Sequence, residues 1–302
     1  MSDSFLSATP VRALDAQAVA HQLKRLAGGG DPPWLHREVA RRMAERLSFI
    51  KLKPDRVIDW WSHLGASAQV LAQACPRAQR ALVEPTPALR ARGAATSAPW
   101  WSSRRWRMAP PRVLFEDDVP DASAQLVWAN MMLHACASPP AVFARWQRAL
   151  EVGGFVMFST LGPDTLRELR ELYRHLAWPP PAADFVDMHD LGDMLVHAGF
   201  ADPVMDQEPL TLTWPSAQAA LDELRGLGGN VHPQRFPGLR TPRWRAQLHD
   251  ALRGLADADG RLHLRFEIVY GHAFKTLPRP RVAEHTRVSL DDMKAMVRRR
   301  GA

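Results

Sequence analysis

Residues 56–65 read Arg-Val-Ile-Asp-Trp-Trp-Ser-His-Leu-Gly, an apolar run that ends in Asp59, enters a turn and continues into a helical pattern through Val70, Leu71 and Ala74. A strand, a turn and a helix in that order can seat a nucleotide-like ligand at the carboxyl end of the strand and against the helix N-terminus. The chemistry of such a turn is cofactor binding through the main chain. It calls for residues without side chains, because the backbone must take positive φ and let the ligand come close. Here Trp61 and His63 stand in the turn and Gly65 closes it. The segment reads as a nucleotide-binding turn rewritten with rings.

Little else in the chain is arranged for chemistry. Cys75 and Cys136 are far apart and lack His or Cys neighbours at ligand spacing, so neither a disulfide framework nor a zinc site is expected. No spacing of two histidines and a carboxylate suggests an iron site. The net charge is +7, and of 39 basic residues only Lys24, Lys51, Lys53, Lys275 and Lys294 are lysines. An acidic partner is one reading of that charge; the arginine bias of a GC-rich genome is the other. Trp100, Trp101 and Trp106 interleave with Arg104 and Arg105 in the most nucleic-acid-like patch, although such indoles equally fill a core. Nothing beyond charge and that interleaving points to nucleic acid, so it is not the expected partner.

The elements that must position the turn follow from periodicity. With 302 residues and 46% apolar content the chain can bury a full core. Its apolar runs fall short of the ~18 residues a membrane span needs, and the N-terminus lacks a charged-then-apolar leader, so no membrane partner and a cytoplasmic location are expected. Residues 1–33 read as a flexible N-terminal segment with a short helical pattern over 19–26, ended by a Gly-Gly-Gly-Asp-Pro-Pro breaker. Leu35, Val39, Met43 and Leu47 then form one helical stripe. Strand-like runs at 57–59, 81–84, 113–115, 126–130 and 154–160 alternate with helical patterns, which argues for parallel strands with crossover helices. Later helices are expected over 165–176, 189–198, 216–227 and 242–255, and strands over 204–214 and 262–274, completing seven strands. Residues 278–302 read as a loosely attached basic tail with a capping box from Ser289 to Asp292.

With Glu84 ending the second run and Asn130 the fourth, this arrangement resembles the class I S-adenosylmethionine-dependent methyltransferases. Within them it is most similar to the malonyl-acyl carrier protein O-methyltransferases of biotin synthesis. The resemblance spans about residues 34–275 and is carried by the segments 37–47, 158–170, 187–192 and 268–273. It implies an α/β, doubly wound, Rossmann-like sheet of seven strands, mostly parallel with an antiparallel last strand. The methyltransferase-like domain is expected over 34–277, with a helical insert at about 163–256.

The family's loop runs acid–x–Gly–x–Gly–x–Gly. That register puts Asp59 in the acidic place, Trp61 and His63 at the first two glycines and Gly65 at the third. Glu84 takes the place of the acid that accepts the ribose hydroxyls, and Asn130 and His134 fall where residues line the site. The implied cofactor-binding residues are therefore Asp59, Gly65, Glu84 and Asn130. Val113 stands where an adenine-binding aspartate is usual, with Glu116, Asp117 and Asp118 displaced, and Gln125 stands where an aspartate commonly opens a strand. No catalytic side chain is expected, because a sulfonium is already activated and a carboxylate already anionic, which leaves positioning and desolvation. Arg167, Arg170, Arg225 and Arg235 are the candidate cations for the malonyl carboxylate and for an acidic acyl carrier protein. Trp34 is the aromatic nearest to the 28–33 segment that would fold over the site. The expectation is a paralogue in which S-adenosylmethionine binding is weak or lost, so that the chain uses this cofactor if active and otherwise none. An active O-methyltransferase of biotin synthesis is the alternative, and a basic, non-catalytic module binding nucleic acid or a carrier protein is a second.

Overall fold

The computed structural model describes residues 13–95 and 111–277. The segment containing Trp100, Trp101, Arg104, Arg105 and Trp106 and the basic tail beyond 277 lie outside the described residues.

The chain opens with α1 (Ala16–Gly28) and α2 (Trp34–Leu47), followed by β1 (Arg56–Trp60), a short α3 (Ser62–Gly65) and α4 (Ala68–Ala74). Next come β2 (Gln79–Val83), α5 (Pro87–Ala95), β3 (Arg112–Leu114), β4 (Ala124–Ala129), α6 (Pro139–Ala149) and β5 (Leu150–Leu161). Between β5 and the last strand lie α7 (Arg167–His175), α8 (Met188–His197), β6 (Ala201–Trp214), α9 (Ala217–Leu227) and α10 (Pro242–Arg253), and β7 (Leu262–Phe274) ends the sheet. The strand order is β3-β2-β1-β4-β5-β7-β6. Pairings from β3 through β5 are parallel, and β7 runs antiparallel between β5 and β6. This is the doubly wound sheet with an antiparallel final strand that the sequence implied.

Parallel strands covered on both faces read as continuous apolar runs, and successive side chains divide between the two layers. Val57, Leu126 and Trp128 pack on one face beneath Leu35, Val39 and Met43 of α2 and Leu71 of α4. Ile58, Trp60 and Val127 face the other way, toward Phe143 and Trp146 of α6. There the rings of Phe143, Trp146 and Phe158 meet with centroids 5.4–5.8 Å apart, tilted contacts worth about 0.5–1.5 kcal/mol each beyond the area they bury. Among the described residues no helix is long and apolar enough to cross a membrane.

The segment expected to be flexible contains α1. The Asp15 carboxylate accepts the Ala18 N–H at 2.9 Å and caps this helix, while Leu23 and Ala27 are buried in the same cluster as Trp61 and Leu64. Arg235 pairs with Asp15, tying the start of α1 to the loop before α10. β5 begins four residues earlier than its apolar run suggested, because Gly153 turns the chain at φ +85 without ending the strand.

Candidate functional site

β1 and β4 are neighbours at the point where the strand order reverses, and their carboxyl ends open toward the position at which doubly wound sheets bind ligands. β1 hands over to the turn at Trp61, which takes a left-handed conformation (φ +54, ψ +49). Four residues coil into α3, and Ala66 leaves it left-handed again at φ +55. Such a conformation costs a bulky residue on the order of 1–3 kcal/mol. Three contacts offset the cost. The Trp61 main-chain N–H donates to Val83 O at 2.7 Å, its side chain is only 6% exposed, and its indole Nε1–H donates to Glu116 Oε1 at 2.7 Å. Trp60 donates its own indole N–H to the same oxygen at 3.1 Å, and Arg145 holds the other Glu116 oxygen at 3.0 Å. Glu116, one of the displaced acids, thus fixes both indoles in place.

Asp59 and Glu84 lie beneath α3 and are fully buried. Asp59 Oδ2 accepts the Ser62 hydroxyl at 2.7 Å, and Glu84 Oε1 accepts the His63 main-chain N–H at 2.8 Å. The second Glu84 oxygen, Oε2, is buried without a hydrogen-bond partner. Burial pushes the Asp59 carboxyl up to about 7 and that of Glu84 up to about 8, with the neighbouring Asp59 charge adding to the Glu84 shift. The half-buried His63 ring sits 3.4 Å from Arg92 Nη1, and burial, then Arg92, holds its pKa below the ordinary value. A ribose diol needs a carboxylate open on both oxygens. As arranged, one Glu84 oxygen is committed to α3 and the other lies buried beneath it, so neither is open to a diol while α3 stays in place.

Asn130, the residue after β4, is fully buried. Its amide nitrogen donates to His36 O at 2.7 Å and Gly65 O at 2.6 Å, and its oxygen accepts the Ser159 hydroxyl at 2.7 Å. The side chain is spent on joining α2, α3 and β5. At Gly65 a Cβ would lie 3.1 Å from Ser67 Oγ and 3.2 Å from Asn130 O, so a side chain there would require both neighbours to shift. His36 had no signal in the sequence beyond its place beside Leu35 in the α2 stripe. Its Nδ1 lies 2.8 Å from Leu64 O, and burial lowers its pKa to about 4. A neutral imidazole facing a carbonyl must carry its proton on that nitrogen, so His36 donates to α3 and latches it from above. The four residues read as cofactor contacts, Asp59, Gly65, Glu84 and Asn130, do converge at the ends of β1, β2 and β4, and all are engaged with α3 or its supports.

A cavity of about 700 Å³ lies beside this cluster, among α1, α2, α7, α9, α10 and the sheet, and His36, Met131 and His134 form part of its wall. Of the four candidate arginines, Arg225 alone borders it. Arg167 pairs with Glu171 at 3.2 Å, Arg170 donates to Ala183 O at 2.6 Å and Thr165 O at 3.1 Å, and Arg235 is held by Asp15. Arg25, Arg240 and Arg245 also border the cavity, and sequence reasoning missed them. Trp34 is 42% exposed and is not part of the wall. Gln125 accepts the Asp55 N–H at 2.6 Å, and Val113 packs near Gly93. Among the described residues no group of His, Cys, Asp and Glu could hold a metal ion.

The family described as "Methyltransferase domain" matches residues 34–202. The malonyl-[acyl-carrier protein] O-methyltransferase of Gallionella capsiferriformans (strain ES-2) is 38% identical over 271 residues, covering 88% of this chain and 93% of that protein. The enzyme of the same name from Laribacter hongkongensis (strain HLHK9) is 38% identical over 82% of this chain and 84% of its own length. Among solved structures, a Bacillus halodurans C-125 protein described as a methyltransferase superposes with a TM-score of 0.53 at 14% identity, over 78% of this chain and 98% of that one. The [4+2]-cyclase SpnF does so at 0.51 and 16% identity, over 89% and 98%. At these identities the structural likeness is one of fold.

Proposed function

The chain belongs to the methyltransferase-domain family and, within it, to the malonyl-acyl carrier protein O-methyltransferases, and from that premise we propose that it is a paralogue whose S-adenosylmethionine binding is weak or lost. One observation carries the reading. The Trp61 indole is buried at the carboxyl end of β1, hydrogen-bonded to Glu116, while the His63 N–H already occupies the carboxylate of Glu84. An aromatic side chain of ~150–250 Å² fills much of the surface a nucleotide would bury there. What persists in this reading is an acidic partner of the acyl-carrier kind, met by a basic surface, with the fold as scaffold.

A second reading, a working O-methyltransferase on malonyl-acyl carrier protein, is favoured by the presence of Asp59, Glu84 and Gly65 at their expected places. In that case the cofactor would supply the activated methyl group, and the chain would have to move α3, expose Glu84 and orient the acceptor carboxylate in a dry cavity. Titration calorimetry of the full chain with S-adenosylmethionine and with S-adenosylhomocysteine separates the two. No heat at high micromolar ligand is expected. A micromolar dissociation constant would overturn the proposal, and methyl-ester formation on malonyl-acyl carrier protein would establish the second reading.

A further inference from the structure

The cavity beside α3 is far larger than a three-carbon malonyl group requires. At about 700 Å³ it falls within the ~300–1,000 Å³ that ordinarily holds a whole drug-sized ligand. Leu161, Leu169, Leu224, Leu248, Phe266 and Trp244 give it an apolar wall. Its charged residues are of one sign: Arg25, Arg225, Arg240 and Arg245 border it, and among the described residues lining it there is no aspartate or glutamate.

The arginines differ in what they already hold. Arg245 donates to Gln218 Oε1 at 2.8 Å, and Arg240 stacks over Phe236 and Trp244 at 3.9 and 4.2 Å. Arg225 reaches Asp222 at 3.2 Å through an exposed ion pair, which contributes little. Arg25, an exposed residue, has no carboxylate partner among the described residues, and partial desolvation of its guanidinium together with the charge of Arg225 holds its pKa below the usual value. Two guanidiniums that repel each other along the wall of an apolar cavity favour an anion between them, which planar forks bind with paired hydrogen bonds.

We infer that this cavity binds a medium- to long-chain acyl carboxylate, with the chain along the leucine and Phe266 wall and the carboxylate between Arg25 and Arg225, and that it does so without a nucleotide. The inference rests on the proposed function only in dispensing with the cofactor, since Arg25 and Arg225 stand on α1 and α9 and Glu84 is not part of the cavity wall, which meets α3 only through its latch His36.

The test uses the full chain, with dodecanoate as probe and dodecanol and malonate as controls, in titration calorimetry without S-adenosylmethionine. Dodecanoate is expected to bind saturably with one site. Malonate, which lacks the chain, should bind at least tenfold more weakly. The double variant Arg25→Gln with Arg225→Gln changes exposed positions, and it should lose roughly tenfold or more in dodecanoate affinity while keeping that for dodecanol. Leu224→Trp, which fills the cavity from α9, should abolish binding of both. Absence of saturable dodecanoate binding, equal affinity for malonate, or affinity unchanged in the double arginine variant would each overturn the inference. None of these outcomes bears on whether S-adenosylmethionine binds, which the cofactor titration reads separately.

Discussion

Trp61 and Glu116, fifty-five residues apart in sequence, are joined by a 2.7 Å hydrogen bond from the indole N–H to a carboxylate oxygen that Trp60 shares at 3.1 Å. The bond ties the end of β1 to the turn after β3. Through Arg145, which reaches both Glu116 and Asp117, it also reaches α6. Replacing Glu116 by Ala should leave two largely buried indole donors unmet and Arg145 held by Asp117 alone. The expected loss is about 1–3 kcal/mol in denaturant unfolding, and an unchanged midpoint would show that the two indoles find other acceptors.

Trp61→Gly with His63→Gly should restore measurable S-adenosylmethionine binding by calorimetry, provided Asp59 and Glu84 stay in place. The removed indole costs about 3–5 kcal/mol as a core truncation, partly returned by relief of the left-handed strain at φ +54. Circular dichroism must therefore show a folded protein first. If the folded variant gains no affinity, the adenine side is at fault, where Val113 offers no acceptor to an amine.

Stability should fall as pH rises from about 6.5 to about 8. Asp59 and Glu84 rise from ordinary values of 3.8 and 4.5 to about 7 and about 8, so the folded state holds protons that the unfolded chain has released. Unfolding then releases protons, and the contribution of the pair is fully present below about pH 4, is lost progressively as pH climbs through 7 and 8, and levels off above. Glu38, Asp15, Asp187 and Asp257 are shifted downward by their partners and act on the acid side. His36, His63 and His272, held by burial below the ordinary 6.5, act in the opposite sense at lower pH, where the unfolded chain takes up protons that they refuse. The fall is therefore expected above about 6.5, and Asp59→Asn with Glu84→Gln should flatten the profile from there to pH 8 in thermal melts. A slope that survives the substitutions would assign it to other groups.

Gly271→Ala should be disruptive despite adding one methyl. Gly271 pairs with Phe158 across β5 and β7, and its Cβ would sit 2.5 Å from the Phe158 ring and 2.9 Å from Met205 Sδ. Phe158 is buried against Phe143 and Trp146 and has nowhere to turn. Overpacking at such a position costs about 1–3 kcal/mol, readable as a lowered denaturation midpoint.

The sheet was legible because its signals are periodic. Strict alternation from Leu262 to Phe274 located β7 to the residue, and the apolar stripe of Leu35, Val39, Met43 and Leu47 located α2. The four residues read as cofactor contacts do meet in space. What the sequence could not show is what they meet. The coiling of 62–65 into α3, the donation of the His63 N–H to Glu84 and the latch from His36 to Leu64 O join residues 21 and 28 positions apart. No local pattern encodes such pairings. Arg25 was passed over for a related reason: its helix reads in the sequence as a short pattern in a flexible segment, and only packing of Leu23 and Ala27 against the body of the fold brings it to the cavity.

Because the Trp61 side chain is held inside by Glu116, any guest of that space competes with a resident that is covalently present at all times. Apparent affinity then scales with the share of molecules in which the resident has left. An open form holding ~1% of the population would make a guest look ~100-fold weaker than its contacts warrant. The Trp61 to Glu116 bond is thus a setting for ligand strength, and changes at Glu116 would tune it.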